Sequence, residues 1–185
     1  AVGAAGRILP VSGWRSHAAH QAIWADTLRR EGAAFTKKYV ALPGCSEHET
    51  GLAIDLAAKA DTIDFIRPAF PYDGVCGAFR RAAARYGFIE RYREDKTGLT
   101  GIAAEPWHFR YVGAPHAQLM EQRGLCLEEY IALLGEAPLA CTLENGRTVT
   151  VRRFAAGQPL PPAQGLRQLS GDNAGGVIVT EWGSL

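Results

Sequence analysis

The 185-residue sequence predicts a mixed helix-and-strand domain followed by a small β-rich extension. Three observations point there. Apolar residues make up 47% and charged residues 21%, ordinary globular composition for one sizeable core with room for an appendage. Up to Gly135, stretches of period-two alternation are interleaved with helical patterns that carry their own start and stop residues. After Gly135, the segments LACTLEN, GRTVTVRRF and GGVIVTEW are rich in β-branched residues and separated by turn residues. Residues 1–135 are therefore read as one domain and 136–185 as a β extension, either a sheet of its own or edge strands on the main one.

RILPVS, residues 7–12, is a buried strand stopped by Gly13. Ser16 is an N-cap for a helix running to about Arg30 and closed by Gly32, with Ile23, Trp24 and Leu28 as its apolar stripe. Residues 33–50 read as irregular, with a turn at Pro43-Gly44. Residues 52–57 alternate as a strand. The aromatic and proline-rich stretch 63–74 is a structured loop. Residues 75–87 form a helix with Arg80, Arg81 and Arg85 on its solvated side and Gly87 as its stop. FIERY (88–92) is a strand, 94–101 a hairpin-like turn and WHFRYV (107–112) another strand. Helices over 115–124 and 127–134 complete the domain, the second with Glu128 and Glu129 at its positive end.

Composition excludes several functions. A formal net charge of +1 offers no electrostatic case for nucleic acid or an anionic membrane. No apolar run approaches the roughly 20 residues of a membrane span. Four scattered cysteines without a CxxC pair argue against a cysteine-ligated metal and for free thiols. The opening AVGAAGRILP has neither the basic nor the long apolar part of a signal peptide. It reads as the end of a helix entering a strand, so further residues are expected upstream; an export signal or anchor, if one existed, would lie there and would place the protein in the cell envelope.

The chemistry sits in two short segments. In SEHETGLAID, residues 46–55, period two puts Leu52, Ile54 and Leu56 on one face and Ala53, Asp55 and Ala57 on the other. A carboxylate among alanines needs a cation beside it, because burying it unpaired is costly. The turn that Gly51 permits brings His48 back toward Asp55. In EPWHFRY, residues 105–111, His108 follows Glu105 by three and shares a face with Arg110, opposite Trp107, Phe109 and Tyr111. Two imidazoles and one carboxylate (His48, Asp55, His108) suit Zn²⁺ with a fourth position open to water. Glu105 is then placed for acid–base work and Arg15, just past the first strand, for an oxyanion. Taken one at a time these residues have plain structural readings. Their joint occurrence beside alternating strands is what points to a metal site. His17 and His20, on a helix that reads as solvated, lack a carboxylate partner and look unrelated to the metal, and His116 looks exposed.

These segments resemble a known family. SEHETGLAID and EPWHFRYVG are similar to the two signatures of the zinc D-Ala-D-Ala carboxypeptidases of the VanY type, and PVSGWRS to their arginine motif. KKYVALPGCSEHETGLAIDL, IDFIRPAFPYDGVC, FRRAAARYGFIERY and SGDNAGGVIVTEW resemble the VanXY branch of bifunctional D,D-dipeptidase/D,D-carboxypeptidases, so the likeness covers most of the chain. The resemblance implies an α+β fold, the small domain shared with Hedgehog's N-terminal domain, with zinc on a central antiparallel sheet. It implies one Zn²⁺ per chain held by His48, Asp55 and His108, Glu105 as general base and Arg15 on the scissile carbonyl. It adds Ser46 and Gln21 as holders of the substrate's C-terminal D-residue. The implied substrate is a D-Ala-D-Ala-terminated dipeptide or peptidoglycan precursor, the implied compartment the cytoplasm and the implied role glycopeptide resistance. Ala104, Glu49 and Cys45 depart from the family pattern near the pocket and bear on substrate preference, and the family's helix before the first strand is absent. An L,D-carboxypeptidase or peptidoglycan endopeptidase of the same zinc family, and a catalytically inactive zinc-containing binding module, are the competing readings.

Overall fold

A computed structural model describes residues 3, 5–143, 146–163 and 165–183. The chain divides into two compact units, Ala1–Ala117 and Gln118–Leu185. In the first, β1 (Ile8–Ser12) leads through Gly13 into α1 (His17–Tyr39), capped by the Ser16 hydroxyl, which accepts the Ala19 N–H at 3.2 Å. Gly32, expected to close this helix, sits at φ 81° and breaks it, but the chain resumes helical geometry afterwards and continues to Tyr39. Residues 33–39 are therefore helical, not irregular. Their Phe35 and Tyr39 rings meet at a tilt, centroids 4.8 Å apart, and both lie against the Arg67 guanidinium, a contact made from a distant loop. The buried face of α1 also differs from the expected stripe: His20 and Thr27 are buried while Leu28 is exposed.

A single helical turn, Glu47–Thr50, ends at Gly51 in the left-handed conformation (φ 74°) and opens β2 (Ala53–Ala58). After the irregular stretch 59–73 comes α2 (Gly74–Ala83), then β3 (Phe88–Tyr92), a short turn with α3 (Thr97–Thr100), and β4 (Glu105–Tyr111). The four strands form one antiparallel sheet in the order β1-β2-β4-β3. In its register Ser12 pairs with Asp55, and Asp55 with His108, so these three residues lie in a row across the sheet.

Period two then separates core from site. Leu56, Trp107 and Phe109 join Phe70, Cys76 and Ala83 in the buried cluster, with Val75 and Phe79 of α2 packed against it. Phe70, Phe79 and Phe109 meet edge to face at 5.2–5.8 Å. Arg80 is not on a solvated face. Its Nε donates to Glu90 at 2.7 Å, an Nη to the Pro106 carbonyl at 2.8 Å, and its guanidinium lies 4.0 Å from the Tyr72 ring centre. Arg81 and Arg85 are exposed as expected. His116 is not exposed either. It lies in α4 (Ala114–Arg123) with only 7% of its surface accessible, and burial depresses its pKa to about 4.

In the second unit α5 (Leu127–Glu136) packs on β6 (Thr148–Phe154), one of four strands with β5 (Leu139–Thr142), β7 (Arg167–Gly171) and β8 (Val177–Trp182). These form a separate antiparallel sheet in the order β5-β6-β8-β7, with Val149, Val151 and Val179 fully buried. The unit thus begins ahead of residue 136, because the helix preceding the strands packs on their sheet. All four cysteines are free thiols. Among the described residues no helix is long and apolar enough to cross a membrane.

Candidate active site

His48, Asp55 and His108 converge from the Glu47–Thr50 turn, β2 and β4, and their donor atoms lie within 4.8 Å of one another. All three are buried. Asp55 Oδ2 is 3.1 Å from His48 Nε2 and Oδ1 is 3.0 Å from His108 Nδ1. The opposite nitrogen of each ring is committed. His48 Nδ1–H donates to the Gly13 carbonyl at 2.8 Å, and His108 Nε2–H to Glu47 Oε2 at 3.3 Å. A neutral imidazole with that nitrogen protonated aims a lone pair at Asp55. Two lone pairs facing one carboxylate need positive charge between them, either protons on both rings or one metal ion. The donor set, two imidazole nitrogens and a carboxylate, is one that zinc accepts, so the residues fit the ion.

The electrostatics agree with this reading. Burial alone would lower the pKa of His108, but its bonds to Asp55 and Glu47 outweigh this and raise it to about 9. Burial would likewise raise Asp55, and the bonds from His108 and His48 instead hold it far below the usual carboxylate range. Glu105 behaves in the opposite way. Burial pushes it up to about 8, Asp55 and Glu47 add to the rise, and His108 and Arg15 only partly offset it. Its Oε2 lies 3.8 Å from His108 Nδ1, beside the cluster but outside the ligand triad. A buried carboxyl with a pKa near neutrality is matched to proton transfer.

Arg15 reaches the cluster from the β1–α1 connection. One Nη donates to Ser12 Oγ at 3.0 Å and lies 3.5 Å from Asp55 Oδ2; the other is 3.5 Å from His20 Nδ1. Its Nε–H is buried and has no partner among the described residues. An unpaired buried donor on a pocket wall is a standing cost in the absence of a ligand, and an available hydrogen bond for an anionic oxygen. Ser46 is also buried on this wall.

Gln21 is not brought to the pocket. It is exposed on α1, while His20 and Ile23 line the cavity. One residue is about 100° of helix, enough to turn a side chain from pocket to solvent. His20 is nearly fully buried, and its Nε2–H donates to the Ala41 carbonyl at 2.7 Å, so the expected solvated position belongs to its neighbour. His17 pairs with Glu49 at 3.0 Å, away from the triad. Glu49 also accepts the Gly44 N–H at 3.0 Å and so ties down the turn before Ser46. The residue missed from sequence is Glu47. It is buried between Arg91 and Arg110, each 2.8 Å from its Oε1. Burial opposes its charge, but His108 and the two guanidiniums hold its pKa at about 2.

Three buried residues that could hold a metal ion, a carboxyl beside them and a guanidinium with an unpaired N–H thus lie together on an α+β domain. The chain belongs to the VanY family of D-alanyl-D-alanine carboxypeptidases, whose family model matches residues 3–114. It is 43% identical over 146 residues to the bifunctional D-Ala-D-Ala dipeptidase and D-Ala-D-Ala carboxypeptidase VanXYC of Enterococcus gallinarum, covering 78% of this chain and 70% of that one. The crystal structure of the vancomycin resistance D,D-dipeptidase VanXYg with a D-Ala-D-Ala phosphinate analogue superposes with a TM-score of 0.92 at 44% identity, over 98% of this chain and 76% of the other. That of the D,D-pentapeptidase VanY from a VanB-type cassette, in complex with Zn(II), matches with a TM-score of 0.58 at 36% identity, over 69% and 74%. The expected α+β fold with its β-rich C-terminal part is that of the VanXYg structure. The chain is accordingly a peptidase of this family.

Proposed function

We propose that this protein is a zinc-dependent D,D-peptidase that hydrolyses the terminal D-Ala-D-Ala bond of the free dipeptide and of the peptidoglycan precursor pentapeptide. The observation that carries the proposal is the convergence of His48, Asp55 and His108, with Glu105 3.8 Å from one ligand atom and an unpaired Arg15 N–H on the same wall. His48, Asp55 and His108 would hold one zinc ion per chain, whose chemistry when bound would be to lower the pKa of a water molecule and polarise a carbonyl oxygen. Glu105 takes the proton of the attacking water and hands it to the departing D-alanine nitrogen, which is the task its raised pKa fits. Arg15 donates its free N–H to the oxygen of the scissile carbonyl as negative charge develops. Ser46 holds the C-terminal D-residue, and the burial of Ser46, His48, Asp55, Glu105 and His108 excludes bulk water and strengthens each interaction.

Removing the terminal D-alanine removes the ligand of a glycopeptide antibiotic, so resistance is the biological role. Four free thiols support a reducing, cytoplasmic setting. The test is a substrate panel with zinc-loaded protein: D-Ala-D-Ala, a muramyl pentapeptide, and a tetrapeptide with an L,D terminus. Release of D-alanine from the first two is expected. Hydrolysis of the tetrapeptide alone would mark an L,D-carboxypeptidase. Zinc binding without any hydrolysis would mark a binding module, against which Glu105 and Arg15 both speak, since a structural zinc has no use for either.

A further inference from the structure

The two ligand rings are braced differently. His48 leans on a main-chain carbonyl, that of Gly13, which no side-chain substitution removes. His108 leans on a side chain, Glu47. The Glu47 carboxylate divides its oxygens. Oε1 takes both guanidiniums, Arg91 Nε and Arg110 Nη1, each at 2.8 Å, while Oε2 is left to face His108 Nε2 at 3.3 Å. Glu47, Arg91 and Arg110 are drawn from the 47–50 turn, β3 and β4, and the side chains of all three are about nine-tenths buried. Burying such a charged set is costly, and apolar residues of the same volume fill a plain core at least as well. Arg110 stands two residues from His108 on the same face of the same strand. The clamp is thus built into the element that carries the ligand.

We propose that Glu47 is a positioning residue for the metal centre: clamped by Arg91 and Arg110, it takes the Nε2–H of His108 and so fixes that ring in the tautomer and orientation that offer the Nδ1 lone pair to zinc. The inference rests on the ligand triad proposed above. An acceptor on the far nitrogen raises the basicity of a ligating imidazole, and losing it costs about 10–100-fold in metal affinity or activity. Glu47 touches neither substrate nor reacting atoms in this role, which separates it from Glu105.

The experiment compares wild type with Glu47→Gln, Glu47→Ala and Arg110→Gln. Zinc dissociation constants are read by competition with a chromophoric chelator, melting temperatures on metal-free protein, and the visible spectrum on the cobalt-substituted form. Glu47→Gln keeps the volume and one acceptor oxygen, and it carries the test if Glu47→Ala does not fold. The expected result is zinc affinity weakened by about tenfold in Glu47→Gln and more in Glu47→Ala. Arg110→Gln falls between wild type and Glu47→Ala, having loosened the clamp without touching the acceptor. The cobalt spectrum shifts in the Glu47 variants, and at saturating zinc kcat falls while KM for D-Ala-D-Ala holds. A purely structural role would lower the metal-free melting temperature and leave affinity, spectrum and kcat per folded molecule unchanged, which overturns the proposal. Wild-type protein that binds no zinc overturns the ligand triad itself, and that failure is distinct from equal zinc affinity in all four proteins.

Discussion

Arg15 shows how a single side chain links sequence to chemistry. Three of its neighbours, Ser12, Asp55 and His20, fix where the guanidinium sits, and its buried Nε–H has no partner among the described residues. Substituting Arg15→Lys keeps a charge and loses the fork, which is not a conservative change at such a site. Turnover is expected to fall by about 10²–10³-fold with zinc content unchanged, as for loss of an oxyanion donor; steady-state kinetics on D-Ala-D-Ala with metal analysis of the same sample checks it. His116 has a different signature. Its folded pKa lies near 4 against an ordinary 6.5, so the fold favours its neutral form. The stability this contributes is full above pH 6.5 and is lost as pH falls through about 4. Urea unfolding of metal-free protein at pH 7 and pH 4.5 is expected to show a smaller loss in His116→Asn than in wild type. Equal losses would mean that this ring does not carry the effect.

At the scale of elements, what could be read from the chain depended on how local the cause was. Asp55 among alanines and His108 opposite Trp107 and Phe109 were legible because a strand sorts its own faces. The Ser16 cap and the Gly51 turn were legible because capping and positive φ depend on one or two residues. The second half of α1 was not, since Gly32 does break the helix and the contacts that accompany helical geometry over residues 33–39, the Phe35 and Tyr39 rings on Arg67 and the Ala103 N–H on the Lys38 carbonyl, come from far along the chain. Arg80, His20 and His116 were misread because each reads as solvated in its own segment, whereas Arg80 is covered by Glu90 and the Pro106 carbonyl, His20 meets the Ala41 carbonyl and His116 is buried. Glu47 was missed because its partner Arg91 lies 44 residues away. For Glu47 one signal was present, a carboxylate beside the candidate ligand His48, with Arg110 already placed on the His108 side of β4. Tight junctions make a further expectation. Gly87 stands at φ 87°, and an added Cβ would lie 2.7 Å from the Tyr111 ring and 2.9 Å from the main chain of Gly113 and Ala114. Gly87→Ala is expected to cost about 2 kcal/mol or more in chemical denaturation, while kcat per folded molecule is unchanged.

On the scale of the whole molecule, most of the charged chemistry gathers in one place. Asp55, Glu47, Glu105, both histidines and Arg15 crowd one pocket of the first unit. An ion bound by the native state and not by the unfolded chain stabilises by mass action, about 4 kcal/mol at a thousand times its dissociation constant. Chelation is therefore expected to lower the melting temperature by roughly ten degrees and re-addition of zinc to restore it. A melting temperature indifferent to zinc would remove the ion from the structure. Among the described residues, none of the sheet β5-β6-β8-β7 lines this pocket.

The most direct measurement sets wild type beside Glu105→Gln, both loaded with zinc and both assayed for D-alanine release from D-Ala-D-Ala and from the muramyl pentapeptide. The expected outcome is release from both substrates by the wild type, and a variant that still holds one zinc per chain but turns over about 10²–10⁴-fold more slowly. A variant that releases D-alanine at the wild-type rate, or a zinc-loaded wild type that releases none from either substrate, would contradict the assignment of this site as the seat of D,D-peptidase chemistry.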